Sequence, residues 1–300
     1  MKRFTQLASV IVVIVAALAS RAGRAPGADE AARAAAIKLY QSLSADQKKL
    51  AVKDLHHKER YLEQFPAVKR DGLPFSMLTA EQKAMVDDVV RGMTSDYGAQ
   101  RCLEVAKQTP PGARYLNCFG EPAAGKPFAW RIAQHHLTLL YAEFGTGQAD
   151  DFGPVLLGGN PVKNLWDDEE KIVLELYASL TPEEAKNIVA KDAKPGSGSP
   201  IGKSGIRIGD LSPKAQALAK RLLQKRIEVF STDRRKILDG IIQKEGGADN
   251  LRVAVWGAPT KSQHDGGSYH WRIGGPGVVC DWQTVGKNHI HMTVRGKIKA

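Results

Sequence analysis

Apolar positions along the chain follow helical spacing, then strand spacing, and the whole succession then recurs. Ile37-Lys38-Leu39-Tyr40-Gln41-Ser42-Leu43-Ser44 reappears as Leu174-Glu175-Leu176-Tyr177-Ala178-Ser179-Leu180-Thr181, at an offset of 137. Each block ends where a new helix should start. Ser44 with Gln47, and Thr181 with Glu184, read as capping boxes, in which hydroxyl and N3 side chain satisfy each other's free backbone donors. Pro182 falls at the first helical position, where its missing N–H costs nothing. A second pair of helices opens at Thr79 to Gln82 and at Ser212-Pro213, offset by 133. Met85, Val89 and Val90 in one, and Leu218, Leu222 and Leu223 in the other, form core-facing stripes.

Beyond these helices both halves turn strand-like. Cys118-Phe119-Gly120-Glu121-Pro122 matches Val255-Trp256-Gly257-Ala258-Pro259, and Phe128-Ala129-Trp130-Arg131-Ile132 matches Tyr269-His270-Trp271-Arg272-Ile273, at an offset of 141. The drift in offset falls in a polar turn, where insertions are tolerated. The pattern predicts an α+β fold: a tandem duplication of a helices-then-antiparallel-sheet unit with pseudo-twofold symmetry, joined into one compact body. Gly145 to Asn164, rich in Gly, Pro and Asn, reads as the join. The organisation is then a first repeat over 29–147, a connector over 148–166 and a second repeat over 167–300. Pro195-Gly196-Ser197-Gly198-Ser199-Pro200 reads as an exposed loop, and Arg131 and Arg272, at matched positions, as a pair near the symmetry axis.

The start of the chain changes the expected compartment. Lys2-Arg3, the apolar run Leu7 to Ala19 and the small-residue ending Ala17-Leu18-Ala19 have the order of a signal peptide over 1–19, too short to span a bilayer. The expected product is secreted or periplasmic, with no stable membrane anchor after cleavage. A formal net charge of +11 makes an anionic partner conceivable, but acidic residues are scattered through the same chain and no nucleic-acid motif appears, so no nucleic-acid partner is expected. Of three cysteines, Cys102 and Cys118 flank a turn-rich segment and are candidates for a disulfide; Cys280 reads as a small buried strand residue.

The candidate chemistry lies in histidines. On a strand His289 and His291 share one face, while Ile290, Met292 and Val294 take the core face. That spacing suits two ligands on one divalent metal: zinc, copper or iron. His135 and His136 are the candidates for a further ligand; if their strand is regular, only one of the two joins His289 and His291. In the matched alignment they fall opposite Pro276 and Gly277, so the halves differ most where the histidines lie. Asp281 is a candidate catalytic carboxylate, as ligand or general base beside a metal-bound water, and Arg295 a candidate hold on an anionic substrate group. His56-His57 reads as a solvated helix face and His264 as a loop residue. No nucleophile elbow, phosphate loop or dinucleotide fingerprint is present.

Trp130-Arg131-Ile132 before His135-His136-Leu137, Gly158-Gly159-Asn160-Pro161, Trp256-Gly257 and the closing Asn288-His289-Ile290-His291 with Arg295 together resemble the uncharacterised bacterial family catalogued as domain of unknown function 3500. Tyr61, Phe65-Pro66, Arg70 and Gly72-Leu73 fit its opening pattern. The resemblance spans nearly all of the chain after the leader. It implies paired histidines late in each half and points to no particular activity. Two functions remain: an exported metal-dependent hydrolase or oxidoreductase acting on an unspecified small-molecule or polymer substrate, or a non-enzymatic periplasmic binding or scaffold protein without metal.

Overall fold

Three capping boxes start helices where the sequence places them. Ser44 with Gln47, Thr79 with Gln82 and Thr181 with Glu184 each make both reciprocal bonds. Ser212 does not cap through its side chain; its backbone N–H and its hydroxyl instead donate to the Glu184 carboxylate, tying two helix starts together. The computed structural model describes residues 28–62, 71–143, 152–196 and 199–296. The signal segment 1–19, Phe65-Pro66, Arg70, residues 148–151 of the connector and the Ser197 tip of the Gly-Ser loop lie outside the described residues.

The first half runs α1 (Ala28–Ser42), α2 (Ala45–Ala51), β1 (Val52–Lys53), β2 (Leu73–Pro74), α3 (Ala80–Met93), α4 (Asp96–Lys107), β3 (Tyr115–Phe119), β4 (Phe128–Gln134), β5 (Leu137–Glu143) and β6 (Val155–Gly159). The second runs α5 (Asp167–Ser179), α6 (Pro182–Ile188), β7 (Ile206–Arg207), α7 (Pro213–Ile227), α8 (Thr232–Lys244), β8 (Arg252–Trp256), β9 (His270–Gly274), β10 (Val278–Thr284) and β11 (Ile290–Gly296). Among the described residues all strands belong to one 11-stranded sheet, ordered β1-β3-β4-β5-β6-β11-β10-β9-β8-β7, with β2 also pairing β3. The two halves thus share a mixed α+β body. They meet where β6 and β11 run antiparallel.

One strand corrects the sequence reading. Residues 148–166 were expected to be a connector, yet Val155-Leu156-Leu157-Gly158-Gly159 is β6, buried throughout and paired on both sides. Flanking Gly and Pro disguise a short apolar run that is a strand because both its neighbours are strands.

The helices cover one face of the sheet. Trp130, Ile132, Leu139, Tyr141, Trp271, Ile273, Met292 and Val294 join Val86, Val89, Leu222 and Leu223 in one apolar cluster. Cys102, Cys118 and Cys280 are free thiols inside this core, and burial pushes each up to about 12. The Cys102–Cys118 disulfide is therefore not formed: one thiol sits inside α4 and the other on β3.

The opposite face mixes buried polar groups with two small apolar clusters, Phe119, Ala129, Leu140 and Ala142 in one half and Ile201, Ala254 and Trp256 in the other, and is covered by irregular segments. Arg131 donates to the Glu59 carbonyl and to Asn117, and Arg272 donates to the carbonyls of Pro195, Gly196 and Ser199. Both guanidiniums are buried. They stand on β4 and β9, well away from the β6–β11 junction, so they pin a covering loop in each half and do not pair at an axis. His56 and His57 also depart from expectation. They lie in a turn, where His57 Nδ1 accepts from Glu59 N and caps a short 3-10 helix.

Candidate metal centre

The β4–β5 hairpin is closed by two residues, His135 and His136, since β4 ends at Gln134 and β5 starts at Leu137. Strand alternation does not govern a turn, and both rings project to the same corner of the sheet. They stack, with centroids 3.9 Å apart and planes 20° from parallel. From the second half, His289 stands just before β11 and His291 on it, with Ile290, Met292 and Val294 fully buried on the helix face.

These four imidazoles converge. A ring nitrogen from each of His135, His136, His289 and His291 lies within 4.8 Å of the others, an arrangement that can hold a metal ion. His289 Nε2 is 3.1 Å from His136 Nε2 and 3.2 Å from His291 Nε2. His136 and His291 are buried. Burial holds His289 below the usual histidine range, and burial with the neighbouring His289, His135 and Lys194 pushes His291 down to about 3. Neutral rings with free lone pairs are what a metal requires.

The backbone behind the cluster is tight. Gly158 on β6 pairs with His291, and a Cβ there would lie 2.3 Å from the Ile290 carbonyl oxygen and 3.2 Å from His136 Cδ2. Trp166 Nε1 donates to the Gly158 carbonyl at 3.0 Å. Only a residue without a side chain lets β6 pass between these groups.

The two catalytic candidates are not brought into the cluster. Asp281 pairs with Thr293 across β10 and β11, a step further along the ladder than the Gln283–His291 pair. Its carboxylate accepts from Arg272 Nη2 at 2.9 Å and from Thr293 N at 3.0 Å. Arg295 donates to the Tyr61 carbonyl at 2.6 Å. Lys194, which the sequence did not single out, reaches this face and donates to Gln283 Oε1 at 2.5 Å. Burial first, then Lys194 and Arg272, pushes His270 down to about 4. A second convergent group, Asp167, Glu170 and His264, lies beside the loop that precedes His289; of the three, the sequence marks only His264, as a loop residue.

Among the described residues, no helix is long and apolar enough to cross a membrane. A family described as protein of unknown function (DUF3500) matches residues 27–298. No curated protein and no solved structure matches the chain.

Proposed function

The chain belongs to the family of unknown function DUF3500, and from that premise we propose that it is an exported metal protein whose centre is built by three histidines. The carrying observation is the spacing of the Nε2 atoms of His136, His289 and His291, at 3.1 and 3.2 Å. Ligand nitrogens about 2.0–2.1 Å from a tetrahedral zinc stand about 3.3 Å apart, so the gaps match the edges of a coordination polyhedron. A single Nε2 has one proton or one lone pair, so hydrogen bonding serves both contacts of His289 only by sharing. One ion at the centre satisfies all three rings.

Ring stacking selects His136 over His135. A metal lies in the plane of each imidazole that binds it, and two nearly parallel rings 3.9 Å apart have no common point in both planes at bonding distance. His135 therefore backs His136, and the fourth position is open. Three imidazoles with an open site suit a zinc, copper or iron centre that activates water or binds substrate, hence hydrolytic or oxidative chemistry. Asp281 serves mainly to hold Arg272 in this reading.

Elemental analysis of protein purified from the periplasm should find one ion per chain. His136→Ala, and the pair His289→Ala with His291→Ala, should lose it, whereas His135→Ala and His56→Ala should keep it. If the wild-type protein takes up no zinc, copper or ferrous iron, the scaffold reading replaces this one. Export is supported by Lys2-Arg3 and the Leu7–Ala19 run, and the mass of the mature protein tests it directly.

Tandem duplication is supported by element order. Each half runs two helices, a two-residue strand (β2 or β7), two helices and four strands, the first half adding β1 where the second has only the parallel Val189–Val255 bridge, and β3-β4-β5-β6 meets β11-β10-β9-β8 in reverse order. Helix starts at Ser95 and Ser231 exchange bonds, Ser95 N to the Val229 carbonyl and Ser231 N to the Met93 carbonyl, as a local twofold would have them. Superposing the halves should bring Trp130 onto Trp271.

A further inference from the structure

Asn288 and His264 lie outside the imidazole cluster, yet both bear on where His289 points. Asn288, the residue before His289, has φ 57, in the left-handed region that asparagine tolerates better than most residues. Its backbone carbonyl accepts from Val162 N at 2.7 Å. Its side-chain Oδ1 lies 2.5 Å from His264 Nδ1, and the other nitrogen of that ring, Nε2, lies 3.0 Å from Asp167 Oδ1. A carbonyl on one side and a carboxylate on the other favour the doubly protonated ring. The Asp167 hydrogen bond, with that of Asn288, holds its pKa above the ordinary histidine value.

His264 is itself held rigidly. The Ser262 hydroxyl caps its backbone N–H at 3.1 Å and donates to Glu170 Oε2 at 2.7 Å. Glu170 Oε1 accepts from Gln263 N and from the Tyr269 hydroxyl. Asp167 and Glu170 both lie in the first turn of α5. Both oxygens of Glu170 and Oδ1 of Asp167 thus fix one loop against one helix, and the chain of bonds ends at the residue that precedes His289.

We propose that Asp167, His264 and Asn288 form a positioning relay that fixes the left-handed turn before β11 and so aims the His289 ring at the ion. The inference rests on the metal-centre reading for its functional meaning, but the aiming itself exists without metal. None of the three touches the ion. Outer partners of this kind orient ligands, and their loss typically costs 10–100-fold in metal affinity.

The test uses the full mature chain and two readouts: histidine ring resonances by NMR in metal-free protein, and zinc affinity by calorimetry. Asn288→Gly keeps the turn but removes the acceptor; His264→Ala removes the donor; Asn288→Asp keeps an acceptor and tolerates the turn. The first two variants should shift or broaden the His289 ring signals and weaken zinc binding by about 10–100-fold, while Asn288→Asp stays near wild type in both. Asp167→Ala provides the same test should Asn288→Gly fail to fold. Unchanged His289 signals in Asn288→Gly and His264→Ala overturn the relay, as does an Asn288→Asp variant as weak as Asn288→Gly. A wild-type protein that binds no zinc overturns the metal reading, and the ring signals still decide the relay.

Discussion

Replacing Gly158 with alanine perturbs the fold and the histidine cluster through one atom. The new Cβ would stand 2.3 Å from the Ile290 carbonyl oxygen, where real contacts do not fall below 3.0 Å, so β6 and the start of β11 must separate by about 0.7 Å. Both groups are backbone of paired central strands and cannot rotate away. Overpacking of this kind costs about 1–3 kcal/mol. A loss of about 2 kcal/mol lowers Tm by roughly 3–4 °C in a chain of this size. The same Cβ presses on His136 Cδ2 at 3.2 Å, and a site must be held within about 0.5 Å of its productive geometry. Zinc affinity should therefore fall about tenfold, a further 1.4 kcal/mol. Scanning calorimetry with and without zinc, beside a binding titration, separates the two effects. Gly112→Ala, where a Cβ meets nothing within 4 Å, is the control. A Gly158→Ala protein melting within 1 °C of wild type with unchanged affinity would refute the reasoning.

Stability of the metal-free protein should fall with acidity. His291 and His270 have folded pKa values pushed down to about 3 and about 4, while the unfolded chain titrates near about 6.5, so below that value the unfolded state binds more protons. Each should cost about 2 kcal/mol between pH 7 and 5, lowering the urea midpoint; a flat midpoint would contradict it. Saturating zinc at about a hundred times its dissociation constant should add about 2.7 kcal/mol at pH 7, and His289→Ala should abolish that gain. The three thiols should resist a thiol reagent in the native state and all react in denaturant; a measured Cys102–Cys118 disulfide would show the core packing to be wrong. Gly240 lies exposed within α8 with nothing within 4 Å of a built Cβ, so Gly240→Ala should raise Tm, being worth up to about 1 kcal/mol.

What was legible from the sequence was local. Capping boxes at Ser44, Thr79 and Thr181 need residues three apart, and the alternation around His291 needs only a strand; both appear where expected. The His135-His136 turn was missed because it lacks the glycine or asparagine that usually marks a two-residue hairpin, and neither residue takes a positive φ. β6 was missed because its strand character comes from pairing between β5 upstream and the far-downstream β11, and not from its own Gly-Pro surroundings. Gly158 looks in sequence like any glycine in a loop. Its requirement is set by Ile290 and His136, each brought there by the tertiary fold. The Asp167–His264–Asn288 bonds span 97 and 24 residues, and no spacing rule connects such partners. Pinning of covering loops by Arg131 and Arg272 is of the same kind: the sequence marked both arginines, but their acceptors are carbonyls, which every residue has.

The margins of the sheet carry a consequence for the protein in crowded solution. A sheet of this width would offer a neighbour a long row of unpaired donors and acceptors on each side, the usual seed of aggregation. Here each margin is a patchwork. The outer edge of β3 meets β2 at Tyr115 and Leu116 and β1, running the other way, at Cys118 and Phe119. The outer edge of β8 meets β7 at Arg252 and Val253 and a single parallel bridge from Val189 at Val255. An incoming strand finds two-residue fragments of opposite polarity, with no continuous register to copy. The chain can therefore build a large central sheet, and rest its histidines on it, without the sheet becoming a template for its own kind.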